Sequence, residues 1–126
     1  MDNNIPNEIL KLLSKLPYRI FDNGEDRVLL ITAENSDGTI SEYAGFLKGY
    51  YRPHIHDETD SDITVICGNG TVIINDDRQN YAPGSNFLVP RGTKHGFEVE
   101  EDTWLFTHLS GHILNKESGK ADFRYE

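Results

Sequence analysis

Apolar positions change their period once along this chain. From Pro6 onward, Ile9, Leu10, Leu13 and Leu16 recur at helical spacing, and Ile5 with Leu12 widens the stripe. A short amphipathic helix is therefore predicted over residues 6–16. Pro6 suits its first turn and Pro17 stops it. Its apolar side needs a partner, either the outside of a sheet or a second subunit. Past Pro17 the helical period disappears. Stretches rich in β-branched and aromatic residues cover 18–22, 27–33, 40–48, 53–56, 63–67, 71–75, 79–82, 86–89, 95–99 and 103–110. Turn signals separate them: Asn23-Gly24, Asp37-Gly38, Asn69-Gly70, Asn75-Asp76-Asp77, Pro83-Gly84 and Arg91-Gly92. About ten short strands punctuated in this way predict an all-β sandwich or barrel. The expected organisation is a helical segment (1–17), a barrel (18–112) and a polar tail (113–126) that is either a docked arm or loose.

Two segments carry candidate chemistry. In Arg52-Pro53-His54-Ile55-His56 the histidines lie two apart on a predicted strand, so they point to one face at a spacing suited to sharing an ion. An isolated pair of this kind is equally a solvated strand face. The second segment runs from Gly84 through Pro90 and Gly92 to His95. A Pro-x-Gly turn closes one strand there and a histidine opens the next. Alone, it reads as an ordinary loop with a surface histidine.

Together the two segments resemble the motifs of the cupin superfamily, G-x5-H-x-H-x(3,4)-E-x6-G and G-x5-P-x-G-x2-H-x3-N. Gly49 precedes His54 by one residue fewer than the first motif asks; His54, His56 and Gly68 fit it. Gly84, Pro90, Gly92 and His95 fit the second without a gap. The resemblance spans about residues 40–110. It implies a double-stranded β-helix, the jelly-roll barrel, and a divalent transition metal held by His54, His56 and His95. Three imidazoles suit Fe, Zn, Ni, Mn or Cu and leave coordination positions open. The chain departs from the motifs twice. Ser61 occupies the slot of the metal-binding glutamate, with Asp60 and Asp62 expected to point away from the ligand face unless a bulge intervenes. Val99 replaces the final asparagine, which is not a ligand in the family. A site without the carboxylate leaves the ion more electrophilic; the competing reading is a decayed site that holds no metal.

Strand alternation extends the candidate site. If the strand runs regularly into His54, then Tyr50 and Arg52 share its face, and Arg52 offers a guanidinium fork to a carboxylate or phosphate. The alternative for Arg52 is an ion pair with a nearby acid. Phe97 shares the face of His95, and Ile63 and Val65 that of Ser61, giving a largely apolar, aromatic pocket. Trp104, Phe106 and His108 share another face. His108 is a candidate fourth ligand or proton donor if that face is inward, and a plain surface histidine if it is outward. Cys67 is expected to be packed rather than reactive, and nothing is assigned to His112.

Charge then narrows the partners. The 126 residues include 12 Lys+Arg and 21 Asp+Glu, a formal net charge of −9 with the five histidines neutral. Such a balance argues against nucleic acid and against anionic membrane surfaces. A single cysteine excludes an internal disulfide. The N-terminus lacks the pattern of a signal peptide and no apolar run approaches a membrane span, so a cytoplasmic location is expected. Edge strands and the apolar helix predict a homodimer. The expected partner is a small molecule, carboxylate-bearing if Arg52 anchors it. Its chemistry would be dioxygenase-like or isomerase/lyase-like. The alternative is a non-catalytic sensor that binds a small molecule or sugar, and an interaction module using the helix is the third possibility. A metal held by neutral imidazoles is expected to bind more weakly as pH falls into their range.

Overall fold

The computed structural model describes residues 7–13, 19–22, 27–34, 40–47, 49–110 and 124–125. They form one helix, α1 (Asn7–Leu13), and nine strands: β1 (Arg19–Asp22), β2 (Arg27–Glu34), β3 (Ile40–Leu47), β4 (Tyr50–Ile55), β5 (Asp60–Ile74), β6 (Asp77–Tyr81), β7 (Asn86–Val89), β8 (His95–Ser110) and β9 (Arg124–Tyr125). Two long strands, β5 and β8, organise the rest. They pair antiparallel from Asp60↔Ser110 to Ile74↔His95. The C-terminal half of β8 lies between β5 and β3, and its N-terminal half lies between β5 and β4. Strands β2 and β1 extend the first edge, β9 extends the second, and β6 and β7 flank β5. The result is all-β, as the punctuation of the sequence predicts, and is the jelly roll that the cupin resemblance implies.

The two long strands correct that sequence reading in one respect. Residues 63–67 and 71–74 belong to one strand, β5, and 95–99 and 103–110 belong to another, β8. Asn69-Gly70 is an irregularity within continuous pairing, where the β5–β8 register shifts at Val65/Cys67, Cys67/Asn69 and Asn69/Gly70. Bulges of this kind bend a strand and increase its twist, which lets β5 and β8 pass from one sheet of the barrel into the other. Gly68 marks the bend. Its φ is +94°, and a Cβ there would run into the Asp102 carbonyl oxygen, so the close approach of the two strands requires glycine.

Alternation along the strands sorts the side chains onto two faces. Leu47, Tyr51, Ile63, Val65, Val89, Phe97 and Leu105 belong to the main buried cluster inside the barrel. On the outer face Val28, Leu30, Ala44 and Trp104 form a second cluster with Ile9 of α1. Ile9 is completely buried while Leu10 is exposed, so the helix lays one narrow stripe on the outside of the sheet and Leu10 is not part of it. Residues 6 and 14–16 of the predicted helix, and 113–123 and 126 of the predicted tail, fall outside the described residues. Among the described residues no helix is long and apolar enough to cross a membrane.

Candidate metal centre

The site begins with an irregularity in β4. Its register with β8 runs Tyr50↔Glu98, Tyr51↔Phe97, then His54↔His95. Three residues advance on β4 while two advance on β8, so one residue is bulged out at Arg52-Pro53. Proline has no N–H to give to a ladder, and bulges are where strands tolerate it. The extra residue reverses the alternation. Tyr51, rather than Tyr50 or Arg52, shares the face of His54, and its ring stacks on the imidazole with centroids 4.0 Å apart and planes 16° from parallel. Tyr50 and Arg52 are both exposed. The Arg52 guanidinium carbon lies 3.4 Å from the centre of the Tyr125 ring. The expectation that Tyr50 and Arg52 line the pocket rested on a regular strand, and the bulge overturns it.

His54, His56 and His95 are brought together at the junction of β4 and β8. Ring centroids are 4.2 Å apart for His54–His95, 5.1 Å for His56–His95 and 5.2 Å for His54–His56. One nitrogen of each ring lies within 4.8 Å of the other two, and all three residues are buried. The backbone sets the ring orientation. His54 Nδ1 is 2.9 Å from the Arg52 carbonyl oxygen, and His95 Nδ1 is 3.0 Å from that of Thr93. A carbonyl only accepts, so in both neutral rings Nδ1 carries the proton and donates it. The Nε2 lone pairs are left to act as ligands, the usual arrangement of a metal-binding histidine. The Gly92 N–H donates to the His56 carbonyl oxygen at 2.8 Å, tying the Pro90–Gly92 turn to the His-x-His segment.

Burial favours neutral rings. His95 has its pKa pulled down to about 4, chiefly by desolvation; nearby His56 adds to the shift and the hydrogen bond to Thr93 opposes it. At neutral pH this imidazole is an uncharged donor, the form a metal requires. Three imidazoles converging in a buried site fit a divalent transition metal.

Ser61 is buried on the inner face of β5. Asp60 and Asp62 turn outward, as alternation predicts. Asp60 accepts hydrogen bonds from the Arg91 backbone and guanidinium and from the Ser110 hydroxyl, and the Arg91 contacts lead in holding its carboxyl down at about 2. Asp62 accepts from the Asn86 side-chain amide at 2.7 Å. Among the described residues, no Asp, Glu or Cys joins the histidines in a ligand cluster. His108 lies on the outer face with Trp104 and Phe106. Its Nδ1 is 3.0 Å from Glu42 and its side chain is 58% exposed. It borders an open groove of about 450 Å³ whose lining includes Asp62 and Leu88 but none of the three clustered imidazoles. The inward alternative for His108, as ligand or proton donor, is thus replaced by the outward one.

Two contributors escaped the sequence. Tyr51 was legible only through Pro53, which hints at a bulge. Strand β9 pairs with β4 at His54↔Tyr125 and Ile55↔Arg124. Arg124 also donates two hydrogen bonds to Asp57, at 2.8 and 3.1 Å, and these lead in lowering the Asp57 pKa. The docked-arm alternative for the tail holds at these two residues, although its polar composition does not point to Arg124, Tyr125 or their partners.

Residues 47–107 match the model of the cupin domain family. No curated protein matches the chain. Solved structures with the same fold include KdgF from Halomonas sp., 21% identical, with 75% of this chain and 86% of that one covered at a TM-score of 0.61. Pac13 from Streptomyces, described as a nucleoside dehydratase, is 12% identical, with 87% and 85% covered and a TM-score of 0.63. An RmlC-like cupin from Shewanella frigidimarina is 18% identical, with 75% and 84% covered and a TM-score of 0.64. The matched span runs from the end of β3 into β8 and contains all three clustered imidazoles and the motif glycines. On the jelly roll, the motifs and this match, residues 47–107 form a small cupin domain.

Proposed function

We propose that this cupin holds one divalent transition-metal ion on His54, His56 and His95 and uses it to act on a small molecule. The observation that carries the proposal is the convergence of three buried imidazoles with their ligand nitrogens within 4.8 Å of one another. When bound, such an ion supplies Lewis-acid polarisation or a water of lowered pKa. The chain supplies the rest. Carbonyl groups of Arg52 and Thr93 fix two rings in the ligating tautomer. Tyr51, itself stacked against Phe97, walls the cluster with apolar surface, which limits water and strengthens electrostatic interactions there. Among the described residues, the other buried polar side chains are the hydroxyls of Thr59, Ser61, Thr103 and Thr107. The reaction is of dioxygenase-like or isomerase- or lyase-like type. Pac13, which shares the fold, is described as a dehydratase.

The same observation supports a second reading. With Ser61 in place of the glutamate and no Asp or Glu joining the histidine cluster among the described residues, the barrel also suits a non-catalytic sensor.

Elemental analysis of protein purified without added metal tests the proposal. Stoichiometric transition metal in the wild type, lost in His95→Ala, is the expected outcome. A well-folded wild type that stays metal-free when offered Zn, Fe, Ni, Mn and Cu would refute it. If metal is present, turnover of small hydroxy-carbonyl or sugar-acid compounds separates enzyme from sensor. Oxygen uptake by the iron-loaded protein would instead point to an oxygenase.

A further inference from the structure

We infer that the C-terminal pair Arg124 and Tyr125 is a clasp that holds the ligand-bearing segment of β4 in register, so that these are positioning residues for the metal centre. The inference rests on the metal reading above and adds residues from a distant part of the chain to it.

The need for a clasp follows from the bulge. β4 pairs regularly with β8 at Tyr50 and Tyr51, loses register at Arg52-Pro53 and regains one partner, His95, at His54. Beyond that point the Gly92 N–H to the His56 carbonyl is a further tie on the chain. The His54–His56 segment is therefore weakly laddered on its β8 side, at the place where two ligand nitrogens must be held in position. Its other edge is covered by β9, with His54 opposite Tyr125 and Ile55 opposite Arg124. Side chains from the same two residues reach past the histidines in both directions. The Tyr125 ring lies against the Arg52 guanidinium, two residues before His54. Arg124 grips Asp57, the residue after His56, with a two-pronged hydrogen bond. The two contacts bracket the two ligands.

Arg124 and Asp57 are about half exposed, and exposed ion pairs contribute little to global stability. Their effect should lie in the geometry of β4. Groups that orient metal ligands typically change affinity by about 10- to 100-fold when removed.

The test uses the full chain with Arg124→Ala and Tyr125→Ala combined, Asp57→Asn alone, and Tyr125→Phe as the conservative variant that keeps the ring over Arg52. Arg78→Ala, which removes an exposed pair with Glu98 remote in sequence from the clasp, serves as control. Co(II) is the probe, read by chelator competition and by its ligand-field bands. Hydrogen exchange over residues 50–57 is read on metal-free protein. The double variant is expected to bind Co(II) at least about tenfold more weakly, with altered bands, faster exchange over 50–57 and a melting temperature close to wild type. Asp57→Asn should move the same readouts less, while Tyr125→Phe and Arg78→Ala should match wild type. Wild-type affinity, bands and exchange in the double variant would overturn the clasp. A wild type that binds no Co(II) counts against the metal reading, and the exchange measurement then decides whether the clasp stands.

Discussion

Gly96→Ala should destabilise the protein by about 3 kcal/mol, the upper end for inserting one methyl group into a packed region, and should disrupt the histidine cluster. A Cβ on Gly96 would lie 2.7 Å from the Tyr51 carbonyl oxygen, 2.8 Å from the Pro53 nitrogen and 3.1 Å from the Arg52 carbonyl carbon. All three atoms are main chain on the bulge of β4. A side chain meeting the new methyl group could rotate away, but main chain can retreat only by moving β4 from β8. His54 and His95 face each other across that seam, so their nitrogens would separate as the strands do. Gly92→Ala makes the contrast. Gly92 has φ of +79° with nothing within 4 Å of the added atom, so its cost is limited to the left-handed conformation, about 1 kcal/mol. Denaturant titration of both metal-free variants, with Co(II) titration of whatever remains folded, checks the ranking. The expected fall in melting temperature for Gly96→Ala is on the order of 10 °C. A Gly92→Ala protein less stable than Gly96→Ala, or Co(II) binding intact in the latter, would show that the seam yields more readily than its geometry implies.

The contrast between these glycines also marks how far the sequence could be read. Gly92 is visible in the Pro-x-Gly motif because a turn requires its conformation locally. Gly96 has no such mark, since its constraint comes from a strand more than forty residues earlier in the chain. The same division holds elsewhere. The all-β class was legible because strand punctuation is a local pattern, and the jelly roll with its three histidines followed from two local motifs that together resemble those of the cupins. The inner placement of Ile63, Val65 and Phe97 followed from unbroken alternation. Tyr50 and Arg52 were misplaced because a single bulge at Pro53 inverts the parity on which that inference depends. The continuity of β5 and β8 through Gly68 and Asp102 was hidden for a related reason: glycine and clustered acids signal a turn locally, whereas here long-range pairing carries both strands through the irregularity. Arg124 and Tyr125 were illegible because two residues of strand have no periodicity, and their partners, Arg52 and Asp57, are distant in sequence.

Metal-free protein is expected to lose stability as pH falls from neutrality, well before its carboxylates protonate. His95 has a pKa of about 4 in the folded chain against an ordinary value of 6.5, with burial as the main cause. The folded value is the lower one, so between these two pH values the unfolded chain binds a proton that the native chain refuses. Stability therefore falls as pH falls across that interval and is unaffected by this group above it. The full effect is about 3 kcal/mol, of which roughly 2 kcal/mol is lost by pH 5. The surface acids act in a different window. Asp60, held at about 2 by Arg91, adds stability at neutral pH that is lost only as pH drops below the ordinary carboxylate range. Comparing urea-unfolding free energies at pH 7 and pH 5 isolates the histidine contribution. His95→Gln, which keeps a polar side chain without titrating, should flatten the profile over that interval relative to wild type, whatever its stability at pH 7. Parallel profiles for the two proteins would mean that His95 is not held neutral by its surroundings. Burial would then not be what prepares its nitrogen as a ligand, and the centre would depend on the incoming ion to displace the proton.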